Sequence, residues 1–204
     1  MEGILKSSRR LADSMPATRK ELLGRLDELG IRTSTVEHEA VFTVAESERL
    51  ERSLPGGHTK NLFLKDAKGH LFLVVAESHT AVDLKTLHKT LGCARLSFGK
   101  ADLLMEVLGV PAGSVTALSL INDRDQRVSV VVDAHLMQHD SINCHPLENT
   151  ATTNIGRNDL ITFMRACGHD PKVVSLDGRG PVEAAPRAMP APQVQSVTVP
   201  GGGE

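Results

Sequence analysis

Residues 58–75 read HTKNLFLKDAKGHLFLVV. Two apolar runs, 62–65 and 71–76, flank Asp66-Ala67-Lys68-Gly69, and a polar, glycine-bearing tetrad between such runs predicts a β-hairpin. Leu71-Phe72-Leu73-Val74-Val75 is apolar at every position rather than at alternate ones. A strand of that kind has no face to spare for water, so it must be central and covered on both sides. A Pro55-Gly56-Gly57 loop leads into the hairpin, which places the polar HTKN stretch, and Lys60 with it, at the mouth of a buried strand.

Outward from the hairpin the elements follow one another without regular βαβ alternation. Thr18-x-x-Glu21 is a capping box, and Leu22, Leu23, Leu26 and Leu29 recur at helical spacing until Gly30, which predicts a helix over 18–29. Residues 33–41 carry β-branched alternation and predict a strand; 44–50 predict a short helix. Asp83 can cap a helix through Leu84, Leu87 and Leu91 to Gly92, and a second helix is expected over 100–108. Residues 115–121 and 128–133 bracket the polar segment 122–126, a second hairpin signal. Residues 159–167 predict a helix closed by Gly168. The expected fold class is α/β of the α+β type: a mixed, mostly antiparallel sheet surrounded by helices. One domain is expected over 16–177, with a mobile segment over 1–15 and a disordered Gly/Pro-rich tail over 178–204.

Composition narrows the function classes. A 204-residue chain that is 40% hydrophobic and 24% charged is an ordinary globule, with no apolar run of the roughly 20 residues a membrane span needs. The first residues are basic but lack the apolar stretch of a secretory signal, so an intracellular, cytoplasmic location is expected, without a membrane partner. Cys93, Cys144 and Cys167 are odd in number and widely spaced, as reduced thiols are. With 23 basic against 25 acidic residues, no Trp, no Tyr and five Phe, the chain has neither the charge nor the stacking platforms of a general RNA-coating protein. Any nucleic-acid contact has to be local.

Three stretches hold more polar residues than a plain core requires: HTKN at 58–61, GVPAGSVTAL at 109–118 and NCHPLENTATT at 143–153. They offer a cation beside a glycine loop, a glycine-flanked turn with backbone amides, and an imidazole followed by small hydroxyls. Together these suit a pocket for an anionic or carbonyl-bearing ligand. Each residue also has an ordinary structural reading: Lys60 as a solvated strand-edge lysine, His145 as a histidine bonded within the sheet, Asn61, Asn149, Thr150 and Thr152 as turn formers. A metal site on His135, His139, Cys144 and His145 would need His135 and His139 on one helical face, and HExxH is absent. A Cys144–His145 nucleophile pair fails if the segment is extended, because neighbours then point to opposite faces. GxSxG, Walker-type and dinucleotide glycine loops are absent.

In this order, HTKNLFLKDAKGHLFLVV (58–75), LSFGKADLLMEVLGVPAGSVTAL (96–118), INDRDQRVSVVVD (121–133) and HPLENTATTNIGRNDLITFM (145–164) resemble the YbaK/ProX family of aminoacyl-tRNA editing domains. The resemblance is strongest to its free-standing, alanine-specific prolyl-tRNA editing branch, and runs from about residue 18 to residue 176. It implies a YbaK/ProX-like fold and a cofactor-free deacylase that hydrolyses alanine wrongly esterified to proline tRNA, with the tRNA acceptor end and prolyl-tRNA synthetase as partners. By the same mapping Lys60 is the central functional residue, with Gly113 and Ser114 beside it in catalysis. Asn61, Thr43, His145, Val115, Thr116 and Thr150 would bind substrate; the floor of the acyl pocket is not fixed by the mapping, and Val41, Phe42 and Thr43, before the first loop, are its candidates. The cysteine-specific branch carries proline at the end of the glycine loop; here Ala117 stands there. The alternatives are a non-catalytic binding module for the tRNA end or the synthetase, and a deacylase for seryl or cysteinyl esters.

Overall fold

The computed structural model describes residues 15–40 and 51–177. The expected helix over 44–50, the pocket-floor residues Val41, Phe42 and Thr43, and the 178–204 tail lie outside the described residues, as do all but the last residue of the 1–15 segment.

Eight strands form one mixed sheet: β1 (Thr33–Glu37), β2 (Gly57–Asp66), β3 (Leu71–Glu77), β4 (Leu96–Phe98), β5 (Val128–Asp133), β6 (Ser141–Cys144), β7 (Ala151–Gly156) and β8 (Lys172–Val174). Their order is β1-β7-β6-β2-β3-β5-β8, with β4 also paired to β2. Helices α1 (Arg19–Glu28), α2 (Leu84–Leu91), α3 (Ala101–Leu108) and α4 (Arg157–Ala166) pack around it. Pairs β1–β7, β2–β3, β2–β4 and β6–β7 are antiparallel; β2–β6, β3–β5 and β5–β8 are parallel.

β3 is buried at six consecutive positions, as its uniformly apolar sequence requires. Its side chains divide by alternation. Leu71, Leu73 and Val75 join Phe63, Val130 and Val132 in the larger core, closed by Leu22 and Leu26 of α1, Val107 and Leu108 of α3, and Leu160 and Phe163 of α4. Phe72, Val74 and Ala76 join Leu64 and Val131 in the smaller core on the opposite face, closed by Leu87 of α2. The Thr18 capping box forms as expected, and Asp83 caps α2 through the Lys85 amide.

Two expectations are corrected. The segment expected as the first strand of a second hairpin, 115–121, instead contains a 3-10 helix, Ala117–Asn122. The Thr116 hydroxyl accepts the Leu118 amide and the Ser119 hydroxyl donates to the Thr116 carbonyl at 2.6 Å, which closes a tight turn. A short apolar run buried on all sides has the same pattern in either conformation. The strand expected over 33–41 runs only over Thr33–Glu37, with the His38 amide continuing the register to the Thr150 carbonyl. Strands β4, β6, β7 and β8 carry too little alternation to announce themselves, and sheet pairing alone recruits them.

Candidate functional site

One edge of β2 is taken by β3 along Thr59–Lys65; the other is shared by two strands at its two ends. β6 pairs with Gly57 and His58, whereas β4 pairs with Leu64, Lys65 and Asp66. Between them, among the described residues, no strand pairs with 59–63 on this side. The sheet is split there, and Thr59, Lys60 and Asn61 of HTKN lie in the split. The Pro-Gly-Gly loop makes the entry: Gly56 has φ +106°, and a Cβ on it would fall 2.7 Å from the Ser141 carbonyl oxygen, so only glycine lets β2 start against β6.

Lys60 and Asn61, adjacent on β2, project to opposite faces. Lys60 lies on the face of Leu62 and Leu64, half-buried, and its Nζ donates to the Ser78 carbonyl at 2.9 Å and to the Thr80 carbonyl. Both carbonyls belong to the turn that leaves β3. An ammonium has three donors, so one remains for a ligand. A cleft of about 340 Å³ lined by Glu51, Arg52, Gly56, His58, Glu77, Ser78 and His79 opens beside this clamp. Lys60 is not among the lining residues, but the Ser78 that holds its amine is.

Asn61 faces the larger core with Thr59 and Phe63. Its amide donates to Thr59 Oγ1 at 3.3 Å, Thr59 donates to the Asn143 carbonyl, and Asn61 Oδ1 is buried without a hydrogen-bond partner. A buried amide oxygen without a donor costs about 1–3 kcal/mol, so this atom is a candidate ligand contact. Cys144, behind Thr59, is buried, and burial pushes its thiol up to about 12. It is no nucleophile at neutral pH.

His145 follows β6 directly. Its Nδ1 donates to the Ala151 carbonyl at 3.2 Å, which leaves Nε2 as an acceptor in the neutral ring. Burial pushes the imidazole below the usual histidine range; the Ala151 carbonyl opposes this and the neighbouring His38 adds to it. The two rings lie 6.5 Å apart. His38 Nδ1 donates to the Glu39 carbonyl, and its Nε2 accepts from the buried Thr152 hydroxyl at 2.9 Å. Thr150 is exposed and contributes its carbonyl to the His38 amide. Arg19 of α1 ties the 145–150 loop to the sheet edge by pairing with Glu148 at 2.8 Å and with Glu37.

The glycine loop runs from α3 into the 3-10 helix. Gly113 has φ +94°, a left-handed turn that suits glycine, and Ser114 is buried with its amide committed to the Pro111 carbonyl. Val115 packs on the larger core. Thr116 is fully buried, and its hydroxyl is spent as the 3-10 cap. Among the described residues, the Ser114 amide is committed to the Pro111 carbonyl, whereas the amides of Val110, Ala112, Gly113, Val115 and Thr116 have no hydrogen-bond partner.

His135 and His139 bracket a three-residue 3-10 helix, not an α-helical face; His135 pairs with Asp177 at 3.0 Å, and the His139 ring packs against Gly57. Among the described residues, no three His, Cys, Asp or Glu are grouped to hold a metal. His38 and the Ser78 and Thr80 carbonyls were not legible as site candidates, because tertiary pairing brings them in from distant segments.

The aminoacyl-tRNA editing domain family model matches residues 38–163, from the His38 cluster to the buried Phe163 of α4. The chain therefore belongs to the aminoacyl-tRNA editing domain family, of YbaK/ProX type. It is 35% identical to the prolyl-tRNA editing protein ProX of Acetoanaerobium sticklandii, over 78% of this chain and 97% of that one. It is 40% identical to prolyl-tRNA synthetase associated domain-containing protein 1 of Danio rerio, over 78% of this chain and 88% of the relative. Its fold superposes, at TM-score 0.61 and 17% identity, on the crystal structure of a candidate trans-editing enzyme for prolyl tRNA synthetase, covering 78% of this chain and 95% of that one. Among the described residues, no helix is long and apolar enough to cross a membrane.

Proposed function

We propose that the protein is a trans-acting deacylase that hydrolyses alanine from mischarged proline tRNA. The observation that carries this reading is the Lys60 amine, pinned by two carbonyls of the turn after β3 with one donor left over, in a chain of the editing family. The names of the relatives supply the prolyl-tRNA system. An aminoacyl ester is already activated, so positioning water and stabilising the developing oxyanion suffice; no dedicated nucleophile is needed. Lys60 donates a hydrogen bond through its remaining N–H to the ester carbonyl or the terminal phosphate. On this face of β2 the Lys60 ammonium is the oxyanion donor, and the ribose hydroxyl next to the ester assists the water; Asn61 Oδ1 and the glycine loop lie on the larger-core side and have no part in this step.

Alanine specificity follows from size. A synthetase built for proline rejects the smaller alanine by only about 1–3 kcal/mol per missing methylene, so a second, smaller pocket is the physical remedy. The partners are the aminoacylated acceptor end and, in trans, prolyl-tRNA synthetase, which places the work in the cytoplasm. Near-neutral charge is compatible with contact at the acceptor end only.

The test is release of labelled amino acid from alanyl-, seryl-, cysteinyl- and prolyl-tRNA. Selective release from alanyl-tRNA(Pro) is expected. Binding without turnover would reassign the protein as a recognition module, and preferential release of serine or cysteine would reassign the pocket.

A further inference from the structure

Asp133 is a charged residue with no exposed surface, and none of the chemistry above uses it. It ends β5 beside the end of β3. Its Oδ2 accepts the Glu77 amide and its Oδ1 the His135 amide, each at 3.2 Å. Glu77 opens the turn that carries the Ser78 and Thr80 carbonyls, and the same turn is tied back by the Ser78 amide to the His58 carbonyl and by the Thr80 amide to the Glu77 carbonyl. The carboxylate thus grips the base of the turn whose tip grips Lys60.

The register adds a second link. Lys60 pairs with Ala76 across β2 and β3, and Val75 pairs with Val132 across β3 and β5. One residue further on, Ala76 lies beside Asp133. Lys60, Ala76 and Asp133 therefore form one row on one face of the sheet, about 10 Å from end to end at two strand spacings. The middle member is the smallest that a strand can hold with a side chain. A buried carboxylate is costly unless it is hydrogen-bonded, and the Glu77 and His135 amides supply those bonds.

We propose that Asp133 is a positioning residue for Lys60: it fixes the 77–80 turn so that the Ser78 and Thr80 carbonyls hold the amine, and it supplies the negative charge behind them. This rests on the Lys60 reading given above. Loss of the grip lets the turn relax, and the amine loses its aim while the surfaces that bind the tRNA stay intact.

The test uses the full chain and Asp133→Asn, which keeps the volume but turns one acceptor into a donor facing an amide. Two readouts are taken. Acylation of individual lysines by a soluble anhydride, followed by mass spectrometry, reads the clamp without reference to activity: Lys60 should label more slowly than Lys85 and Lys89 in the wild type, and faster in the variant. Deacylation of alanyl-tRNA(Pro) should lose about tenfold or more in kcat with KM unchanged, the mark of misplacement rather than lost binding. Unchanged Lys60 labelling in a folded Asp133→Asn protein overturns the proposal, whatever the activity. Changed labelling with no deacylation in the wild type upholds the clamp and overturns only the functional reading. Asp133→Ser, which keeps one small acceptor, replaces the asparagine variant if that does not fold; if neither folds, the carboxylate holds the sheet rather than the clamp, and the proposal fails.

Discussion

Replacing Lys60 by methionine removes the ammonium but keeps most of the aliphatic stem. In the folded protein the ammonium makes two charge-assisted bonds, to the Ser78 and Thr80 carbonyls. Such bonds are worth about 1.5–3 kcal/mol each when buried. Lys60 is only half-buried and water can replace it at the carbonyls, so a discounted total of about 1–3 kcal/mol is expected. For a chain of this size that lowers the melting temperature by about 2–12 °C, so the variant remains folded at 25 °C. Deacylation should fall much further. Removing one preorganised donor from a developing oxyanion costs about 100- to 1000-fold in rate. Single-turnover release of labelled alanine from alanyl-tRNA(Pro), with a thermal melt on the same preparation, checks both numbers. A folded Lys60→Met protein with wild-type turnover would refute the assigned role, and an unfolded one would show the clamp to be structural.

Further expectations follow from the buried groups. Burial holds the folded-state pKa of His145 below that of the unfolded chain, so the unfolded state takes up a proton first as the pH falls. The stability that His145 contributes is complete above about pH 6.5 and is lost as the pH drops towards its lowered folded value; urea midpoints across that window should fall in the wild type and fall less in His145→Gln. For Asp66, burial opposes ionisation, but the backbone of His70, its ring, and the amides of Lys68 and Ala94 outweigh it and hold the pKa at about 2. Asp66→Asn should therefore flatten the stability loss between about pH 4 and pH 2, read by circular dichroism. Cys144, with its thiol at about 12, should resist alkylation in the native state, and Cys144→Val should retain deacylation; loss of turnover in that variant with its melt unchanged would return the thiol to the mechanism. Phe163→Ala empties the centre of α4 against the larger core and should cost about 3–5 kcal/mol in urea titrations, without a specific effect on KM.

The sequence by itself determined the central hairpin and most of the helices. A uniformly apolar β3, a Thr18 capping box and glycine stops at 30, 92 and 168 are local signals, set by the side chains and φ angles of a few consecutive residues. They hold wherever the rest of the chain goes. The family was legible for a related reason: ordered motifs from HTKN to GRNDL carry more information than any one of them. The tertiary structure decided what local pattern leaves degenerate. A short buried apolar run reads alike as strand or 3-10 turn, so 115–121 was settled by Thr116 and Ser119 closing on themselves. Strands as short as β4 and β8 exist because a neighbour offers them unpaired backbone. The site is the extreme case. Lys60 is named by its motif, but what holds it comes from the turn after β3 and from Asp133 two strands away. Hydrogen bonds between residues 18, 20 and 56 positions apart leave no period in a sequence, because only the pairing of strands brings them within reach.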